Sequence, residues 1–308
     1  MKLLALTITI ASIAIECFNS PCSALSLGTS PSVSSLIAKH AAQITTLKKA
    51  AEKYPDAPTD SVFYLRYCLG PDSEDDEGDF VTKTLQSNLE WRAGEGKLIC
   101  ESAKAAVEAA TSTGSSWDNT PVQGMAPHAK IVNKFITSSQ CLTTATRKGD
   151  LVYVVRAGKI DDSVLMSEIT VEELTEFFLY SREVNAIVAN ARSILSDRLV
   201  SVITANDLTG VKLIGGDATF RKALSATSAK TNKLYPGLSG PTLLLNLPRL
   251  LSALTRLFTP LFPKEVRKKI MFAQGPLRDV DNLMEISVPG QPREKLMSSL
   301  DELLYSDA

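Results

Sequence analysis

The stretch LYPGLSGPTLLLNLPRLLSALTRLFTPLFPKEVRKKI, residues 234–270, is among the most apolar parts of the chain, but prolines and arginines interrupt it. Its segment TLLLNL is a continuous apolar run that follows a turn, which predicts a buried strand. From Pro248, leucines and phenylalanines recur at helical spacing and predict a helix over residues 248–262. The segment KKIMFA predicts the next strand. Arg249 and Arg256 lie inside the apolar run, which argues against a membrane span of about 20 apolar residues.

Strands and helices also alternate upstream of this stretch, from about residue 148. The strands are continuous runs rich in Val, Ile and Leu, as expected for strands that are buried on both faces of a parallel sheet. One long predicted helix carries Glu172 and Glu173 in its first turn, where negative charge complements the helix dipole. The pattern predicts an α/β domain with a mainly parallel sheet. The upstream elements are a strand LVYVVRAG, a helix over residues 170–195, a strand LVSVITAND and a helix over about 218–234.

The residues before this region are predicted to be helical. Residues 60–92 contain two apolar or amphipathic segments separated by an acidic turn, and the second segment brings Phe80, Leu85 and Leu89 to near-helical spacing. The segment GKLICESAKAAVEAATS predicts a further helix. The segment TGSSWDNTPVQGMAPHA, residues 113–129, predicts a Gly/Pro-rich connection. A helical first part is therefore expected to precede the α/β domain.

The N-terminus has the three-part plan of a secretory signal. A basic residue precedes the apolar run Leu3–Ile15 and small residues follow it, so residues 1–24 are expected to be a cleaved signal peptide, with a buried N-terminal helix as the alternative. Residues 25–51 contain no Asp or Glu and many Ser and Thr, so the segment 25–55 is either a transit peptide or an N-terminal helix. The expected location is the endomembrane lumen or the cell exterior, or a plastid if the host has plastids inside its secretory system.

The sequence gives little support for catalysis, metal binding or nucleic-acid binding. The formal net charge is −1, so the basic excess typical of nucleic-acid-binding proteins is absent. No dinucleotide fingerprint or Walker A sequence is present. Ser239 in GLSGP lacks the spacing of a nucleophile elbow, so a degenerate hydrolase is kept only as the weakest alternative. The cysteines beyond the leader form no CxxC pair and His128 is not at ligand spacing from them, so neither a metal nor a cofactor is expected.

Five sequence pieces, in order along the chain, resemble the CRAL-TRIO lipid-binding family. FYLRYCLG and TLQSNLEWR match a Leu-Arg helix and a closing Trp-Arg, and GDLVYVVRAGKID matches the opening of the second domain. VITANDLTG matches a strand that ends in Asp-x-x-Gly. YPGLSGPTLLLNLPRLLSALTRLFTPLFPKEVRKKIMF matches Tyr-Pro, an apolar strand, Asn-x-Pro, an apolar helix and Lys-Ile. The order and spacing of the five pieces make the resemblance fairly specific, and it extends from about residue 60 to residue 290.

The resemblance implies a small N-terminal helical domain, followed by a mainly parallel β-sheet flanked by helices that enclose a hydrophobic pocket. The helical domain and a linker are expected at residues 56–145, the lipid-binding domain at 146–290, and a C-terminal tail or helix at 291–308. In the family, the segment that corresponds to residues 248–262 forms a movable gate over the lipid cavity. The periodicity alone is equally consistent with a static helix that faces the core.

The function that the resemblance implies is binding of a lipid or other hydrophobic ligand in the cavity and its transfer or presentation at membranes, without catalysis. The protein is expected to be a monomer that meets membranes transiently. An interaction or regulatory module without a transferable lipid is the alternative. The residues expected at the ligand site are Arg66, Tyr153, Leu250, Leu254, Leu257, Phe258, Leu261, Phe262 and Lys269. The residues expected to contact the membrane are Arg256, Lys264, Arg267 and Lys268.

The resemblance also bears on the polarity of the ligand. Family members that bind phosphoinositides typically carry Glu after Tyr-Pro and Thr three residues before the Lys of Lys-Ile. This chain has Gly237 and Val266 at those positions and keeps Lys269, while the family's second helical-domain arginine falls at Cys68. The expected ligand is therefore less polar than a phosphoinositide, for example a terpenoid, a pigment, a sterol or a neutral lipid.

Overall fold

The computed structural model of the 308-residue chain describes residues 32–70, 79–112, 118–137, 140–145, 151–208, 210, 216–246 and 270–273. The predicted signal peptide, the predicted gate helix over 248–262 and the segment 291–308 lie outside the described residues. Within the described ranges, no helix combines the length and the apolar composition that crossing a membrane requires.

A group of helices forms the first part of the described chain. Asp60 caps the third of these helices, since its side chain accepts a hydrogen bond from the Phe63 N–H at 2.7 Å. Every residue of that helix from Val62 to Cys68 is buried, so it lies at the centre of this part. The helices are α1 (Val33–Lys39), α2 (Ala41–Ala51), α3 (Ser61–Cys68), α4 (Asp79–Ala93) and α5 (Lys97–Thr111).

The sequence was consistent with either a transit peptide or an N-terminal helix over residues 25–55. In this structure, residues 33–51 form α1 and α2. Val33, Ile44 and Leu47 are buried and belong to the same apolar core as α3. The two helices predicted within residues 60–92 are α3 and α4, and the helix predicted after them is α5.

The Gly/Pro-rich connection contains short helices as well as turns. These are α6 (Asn119–Gly124), which Asp118 caps, and α7 (Ala129–Val132). Pro121 lies in the first turn of α6, where its missing N–H removes no helical hydrogen bond, so the proline did not prevent helix formation. We call residues 119–132 the α6–α7 segment.

The described strands form one sheet in the order β1 (Cys141–Ala145), β2 (Leu151–Arg156), β3 (Val202–Asp207), β4 (Ser239–Leu245) and β5 (Ile270–Ala273). β1 pairs antiparallel with β2, and the other neighbours pair in parallel. The prediction of an α/β fold with a mainly parallel sheet is confirmed. β1 was not predicted, and it lies in the stretch that was expected to be a linker.

The helices of the α/β part are α8 (Asp162–Glu168), α9 (Val171–Ser196) and α10 (Ala218–Leu234). A capping box starts α9: the Thr170 N–H donates to Glu173 Oε2 at 2.9 Å, and the Glu173 N–H donates to Thr170 Oγ1 at 3.2 Å. This geometry confirms the predicted start of the long helix. α8 is a further helix that the sequence reading did not identify.

The strand register divides the sheet into two faces. Tyr153 pairs with Thr143 on one side and Thr204 on the other, and paired residues project to the same face of a sheet. Tyr153, Leu151 and Val202 belong to the core that also contains residues of α9 and α10, so we call this side the helix face. The opposite face carries Val152, Val154, Ile203 and Ala205, each 0% exposed.

Candidate functional site

A cavity of about 420 Å³ lies between α9, the β1–β2 end of the sheet and the α6–α7 segment. One stripe of α9 forms its longest wall. The stripe residues follow the spacing i, i+4, i+7, i+8, i+11 and i+15, which places them on one face of α9 over a length of about 22 Å. They are Phe177, Ser181, Val184, Asn185, Val188 and Arg192.

The sheet supplies the second wall. Cys141, Thr143, Leu151 and Tyr153 line the cavity from β1 and β2. The Arg182 guanidinium lies 5.4 Å from the centre of the Tyr153 ring, a cation–π contact that ties this ring to α9. Burial raises the pKa of the Cys141 thiol to about 12 and raises the pKa of the Tyr153 phenol well above its usual value. Both groups are therefore protonated and uncharged at neutral pH.

The α6–α7 segment supplies the third wall and is held to α9. Tyr180 Oη donates a hydrogen bond to the Val122 carbonyl at 2.8 Å, and both residues line the cavity. Asn133 Nδ2 donates to the Gln123 carbonyl at 3.0 Å. These hydrogen bonds satisfy polar groups that would otherwise be costly to bury.

Charge is sparse in the walls of this cavity. Arg192 is the only charged side chain among the described lining residues. Those lining residues include no Asp, Glu or His, the side chains that most often act as general acids or bases. Across the described part of the chain, no cluster of three or more His, Cys, Asp or Glu side chains could hold a metal ion. The arrangement is suited to holding an apolar molecule.

A smaller cavity of about 270 Å³ lies where the helical first part meets α9. Arg92 of α4 and Glu183 of α9 form a bidentate ion pair at its wall, with Nη1–Oε1 at 2.8 Å and Nη2–Oε2 at 2.7 Å. Their side chains are only 10% and 4% exposed. Burial opposes the charge on Arg92, but the pairing with Glu183 outweighs burial and raises the pKa of Arg92. This ion pair joins the helical part to the α/β part.

Arg66, predicted as a ligand contact, lies at the same junction and is 4% exposed. Its Nε donates to Asn190 Oδ1 at 2.7 Å, its Nη1 to the Gly237 carbonyl at 2.6 Å and its Nη2 to the Val200 carbonyl at 2.7 Å. The guanidinium thus ties α3 to α9 and to the residues that precede β3 and β4. A ligand contact of Arg66 stays a prediction.

Tyr153 is the one predicted ligand residue that the structure places in the wall of the larger cavity. The remaining predicted site residues lie outside the described residues. They are Leu250, Leu254, Leu257, Phe258, Leu261, Phe262 and Lys269 for the ligand, and Arg256, Lys264, Arg267 and Lys268 for the membrane.

Ser239, named for the hydrolase alternative, and the histidine His128 lie elsewhere. His128 Nε2 is 2.8 Å from Glu176 Oε2, and its Nδ1 is 3.6 Å from Glu173 Oε1, so His128 contacts the start of α9. Ser239 is the first residue of β4 and pairs with Val202. Neither His128 nor Ser239 belongs to the described lining of the larger cavity.

The α9 stripe was missed by the sequence reading, although a signal was present. Ser181, Asn185 and Arg192 fall on one helical face together with Val184 and Val188. Polar residues on an apolar face are typical of a binding site that needs a few directed contacts. Glu183, the buried partner of Arg92, lies on another face of the same helix. Because polar residues therefore occur on more than one face, the stripe does not stand out in the sequence.

The chain is similar to known proteins in two comparisons. The profile of the CRAL/TRIO domain matches residues 137–284, which include β1 to β5 and α8 to α10. A solved structure described as the crystal structure of Sfh5 is similar with 15% sequence identity, covers 83% of each chain and has a TM-score of 0.47. No curated protein matches the chain.

Proposed function

We propose that the protein holds one lipid or small hydrophobic ligand next to α9 and transfers or presents it at membranes, because residues 137–284 match the CRAL/TRIO domain, whose family binds such ligands. The observation that carries the proposal is the 420 Å³ cavity with Phe177, Val184 and Val188 in its wall. Its volume is in the range of small-molecule sites, about 300–1,000 Å³. Each buried CH₂ group of a ligand would contribute about 0.8 kcal/mol.

Filling the cavity should abolish ligand loading while the protein stays folded. Val188 lines the cavity and is only partly buried, so Val188→Trp would place an indole ring in the space of the ligand. Leu195 on the same helix is 86% exposed, so Leu195→Trp is the matched control. Native mass spectrometry and lipid extraction of the purified full chain should detect ligand in the parent and in Leu195→Trp, and none in Val188→Trp.

Equal ligand occupancy in Val188→Trp and the parent would contradict this location. A parent protein without any extractable ligand would instead favour an interaction or regulatory module.

The backbone at Gly237 supports a ligand less polar than a phosphoinositide. Gly237 has a φ of +65°, a left-handed conformation that favours glycine. A Cβ atom there would lie 3.3 Å from the Arg66 carbonyl oxygen. The glutamate that the resemblance associates with phosphoinositide binding would therefore be strained at this position. We propose a terpenoid, pigment, sterol or neutral lipid, and recovery of a phosphoinositide in the lipid extract would contradict this.

We also propose that the connection between β4 and β5 gates the cavity. β4 and β5 pair in parallel, so the chain between them has to cross over the sheet. Such crossovers are right-handed in nearly all proteins. Because the strands from β2 to β5 follow one another in the sheet in chain order, right-handed crossovers between them all lie on the same face of the sheet. A gate within residues 248–262 would then lie on the helix face, the side that carries Tyr153.

The apolar stripe of the proposed gate gives a direct test. Replacing Leu257 and Phe258 with Ser should weaken lipid loading and vesicle binding but leave the fold largely intact, because these side chains would meet ligand or bilayer. In a static core helix, each large-to-small change would cost about 2–5 kcal/mol. Thermal unfolding and vesicle cosedimentation measure the two effects, and a large drop in melting temperature would exclude the gate.

The basic cluster provides the matched comparison for the gate. Replacing Lys264, Arg267 and Lys268 with Gln should reduce binding to anionic vesicles and spare neutral ones, since each basic residue near the surface contributes about 1 kcal/mol. Added salt should have the same effect, because the Debye length falls from about 10 Å at 0.1 M to about 3 Å at 1 M. Unchanged binding to every vesicle would remove the cluster from the proposed membrane contact.

A further inference from the structure

The side chain of Asn185, in the wall of the larger cavity, has a buried donor with no hydrogen-bond partner among the described residues. Asn185 lies on the α9 stripe and is 2% exposed. Its Nδ2 makes no hydrogen bond with any residue that the structure describes. An amide donor that is buried away from water and left unpaired destabilises the folded protein, so such a group needs an explanation.

Neighbouring polar groups in the same wall are already engaged by the protein. Tyr180 donates to the Val122 carbonyl at 2.8 Å, and Ser181 donates to the Phe177 carbonyl at 3.2 Å. Asn185 therefore differs from Tyr180 and Ser181, because its side chain lines the cavity and its Nδ2 donor has no acceptor among the described residues.

We infer that the ligand carries an uncharged oxygen, in a carbonyl, ester or hydroxyl group, which accepts a hydrogen bond from Asn185 Nδ2. This inference rests on the proposed function and narrows the ligand class. Val184 and Val188 flank Asn185 on the stripe, so the parts of the ligand beside the oxygen are hydrocarbon. An anionic group at this point would lose its hydrogen bonds to water and gain only one hydrogen bond from a neutral amide, which is unfavourable. The charged Arg192 lies seven residues further along α9, about 10 Å away along the helix axis.

The test compares two probes of the same length, 2-undecanone and n-undecane. Their binding to the purified full chain is measured by headspace gas chromatography. Asn185→Leu keeps a side chain of similar size and removes the donor. We expect this change to weaken binding of the ketone relative to the alkane by about tenfold, the effect of one buried hydrogen bond.

Protein stability separates this role from a structural one. Asn185→Leu should melt at or above the temperature of the parent, because it removes an unpaired buried donor. Asn88 is the matched control: it is 1% exposed, and its Nδ2 donates to the Leu234 carbonyl at 2.7 Å. Asn88→Leu should lower the melting temperature and leave the ratio of ketone to alkane binding unchanged.

A measurement on the parent protein does not depend on any variant. The ¹³C resonance of 2-undecanone labelled at its carbonyl should move from its position in alkane solvent towards the hydrogen-bonded position. An alkane-like resonance, or the same relative affinity in the parent and in Asn185→Leu, overturns the inference and leaves hydrophobic binding intact. If neither probe binds the parent, both the proposed location of the ligand and this inference are wrong.

Discussion

Replacing Glu183 with leucine should lower the free energy of unfolding by about 3–5 kcal/mol, because it leaves the Arg92 guanidinium buried without its carboxylate. The measurement is urea unfolding, and the midpoint should fall by roughly 1–2 M for a protein of this size. Arg92 also donates from Nε to Asn88 Oδ1 at 2.8 Å, but this neutral contact cannot replace the charge of Glu183.

The control for this prediction is the double variant Glu183→Leu with Arg92→Met. It removes both charges together, and a buried ion pair replaced by apolar side chains of similar volume is often close to neutral. The double variant should therefore recover most of the lost stability. If it is as unstable as Glu183→Leu alone, the packing at this position, and not the buried charge, is the main contribution.

Arg66→Met should be destabilising by at least about 3 kcal/mol, since it removes three hydrogen bonds to buried acceptors and each unsatisfied acceptor costs about 1–3 kcal/mol. Arg66→Lys should also be destabilising, because a compact ammonium cannot reproduce the planar fork that reaches Asn190, Val200 and Gly237 together. Lys49→Met on the exposed side of α2 removes the same charge and should have little effect.

The Lys variant separates the two roles considered for Arg66. If Arg66 mainly contacts ligand, Arg66→Lys should keep the stability of the parent and lower ligand loading. If Arg66 mainly joins α3 to the α/β part, stability should fall, as the observed contacts indicate. Chemical unfolding and native mass spectrometry of the same samples measure both quantities.

The elements that could be predicted from the sequence are those with long or strongly apolar patterns. The strand Val202–Asp207 is a continuous apolar run, and α9 carries its capping residues in the sequence, so both were identified correctly. The strand Cys141–Ala145 was missed because CLTTA is short and mostly polar. Its place in the sheet depends on antiparallel pairing with β2, which a local pattern does not reveal.

The candidate site was harder to predict than the fold. Tyr153 could be predicted from the family resemblance, and it does line the cavity. Asn185 and Glu183 were not predicted. The spacing places Asn185 on an apolar face of α9, but the local pattern does not show what packs against that face, and Glu183 lies on another face of the same helix. Their burial is set by elements distant in sequence, such as Arg92 on α4, and a contact across 91 residues leaves no local signal.

Both the cavity and the junction with the helical part use residues of α9, so few positions on this helix can change ligand preference without another effect. The cavity stripe, with Val184 and Asn185, alternates along the helix with the junction residues Glu183 and Asn190. A substitution that enlarges or shrinks the stripe would shift the helix and disturb the junction behind it. Adaptation to new ligands should therefore be easier from the sheet side, at positions such as Thr143, which lines the larger cavity and is not among the described lining residues of the junction cavity.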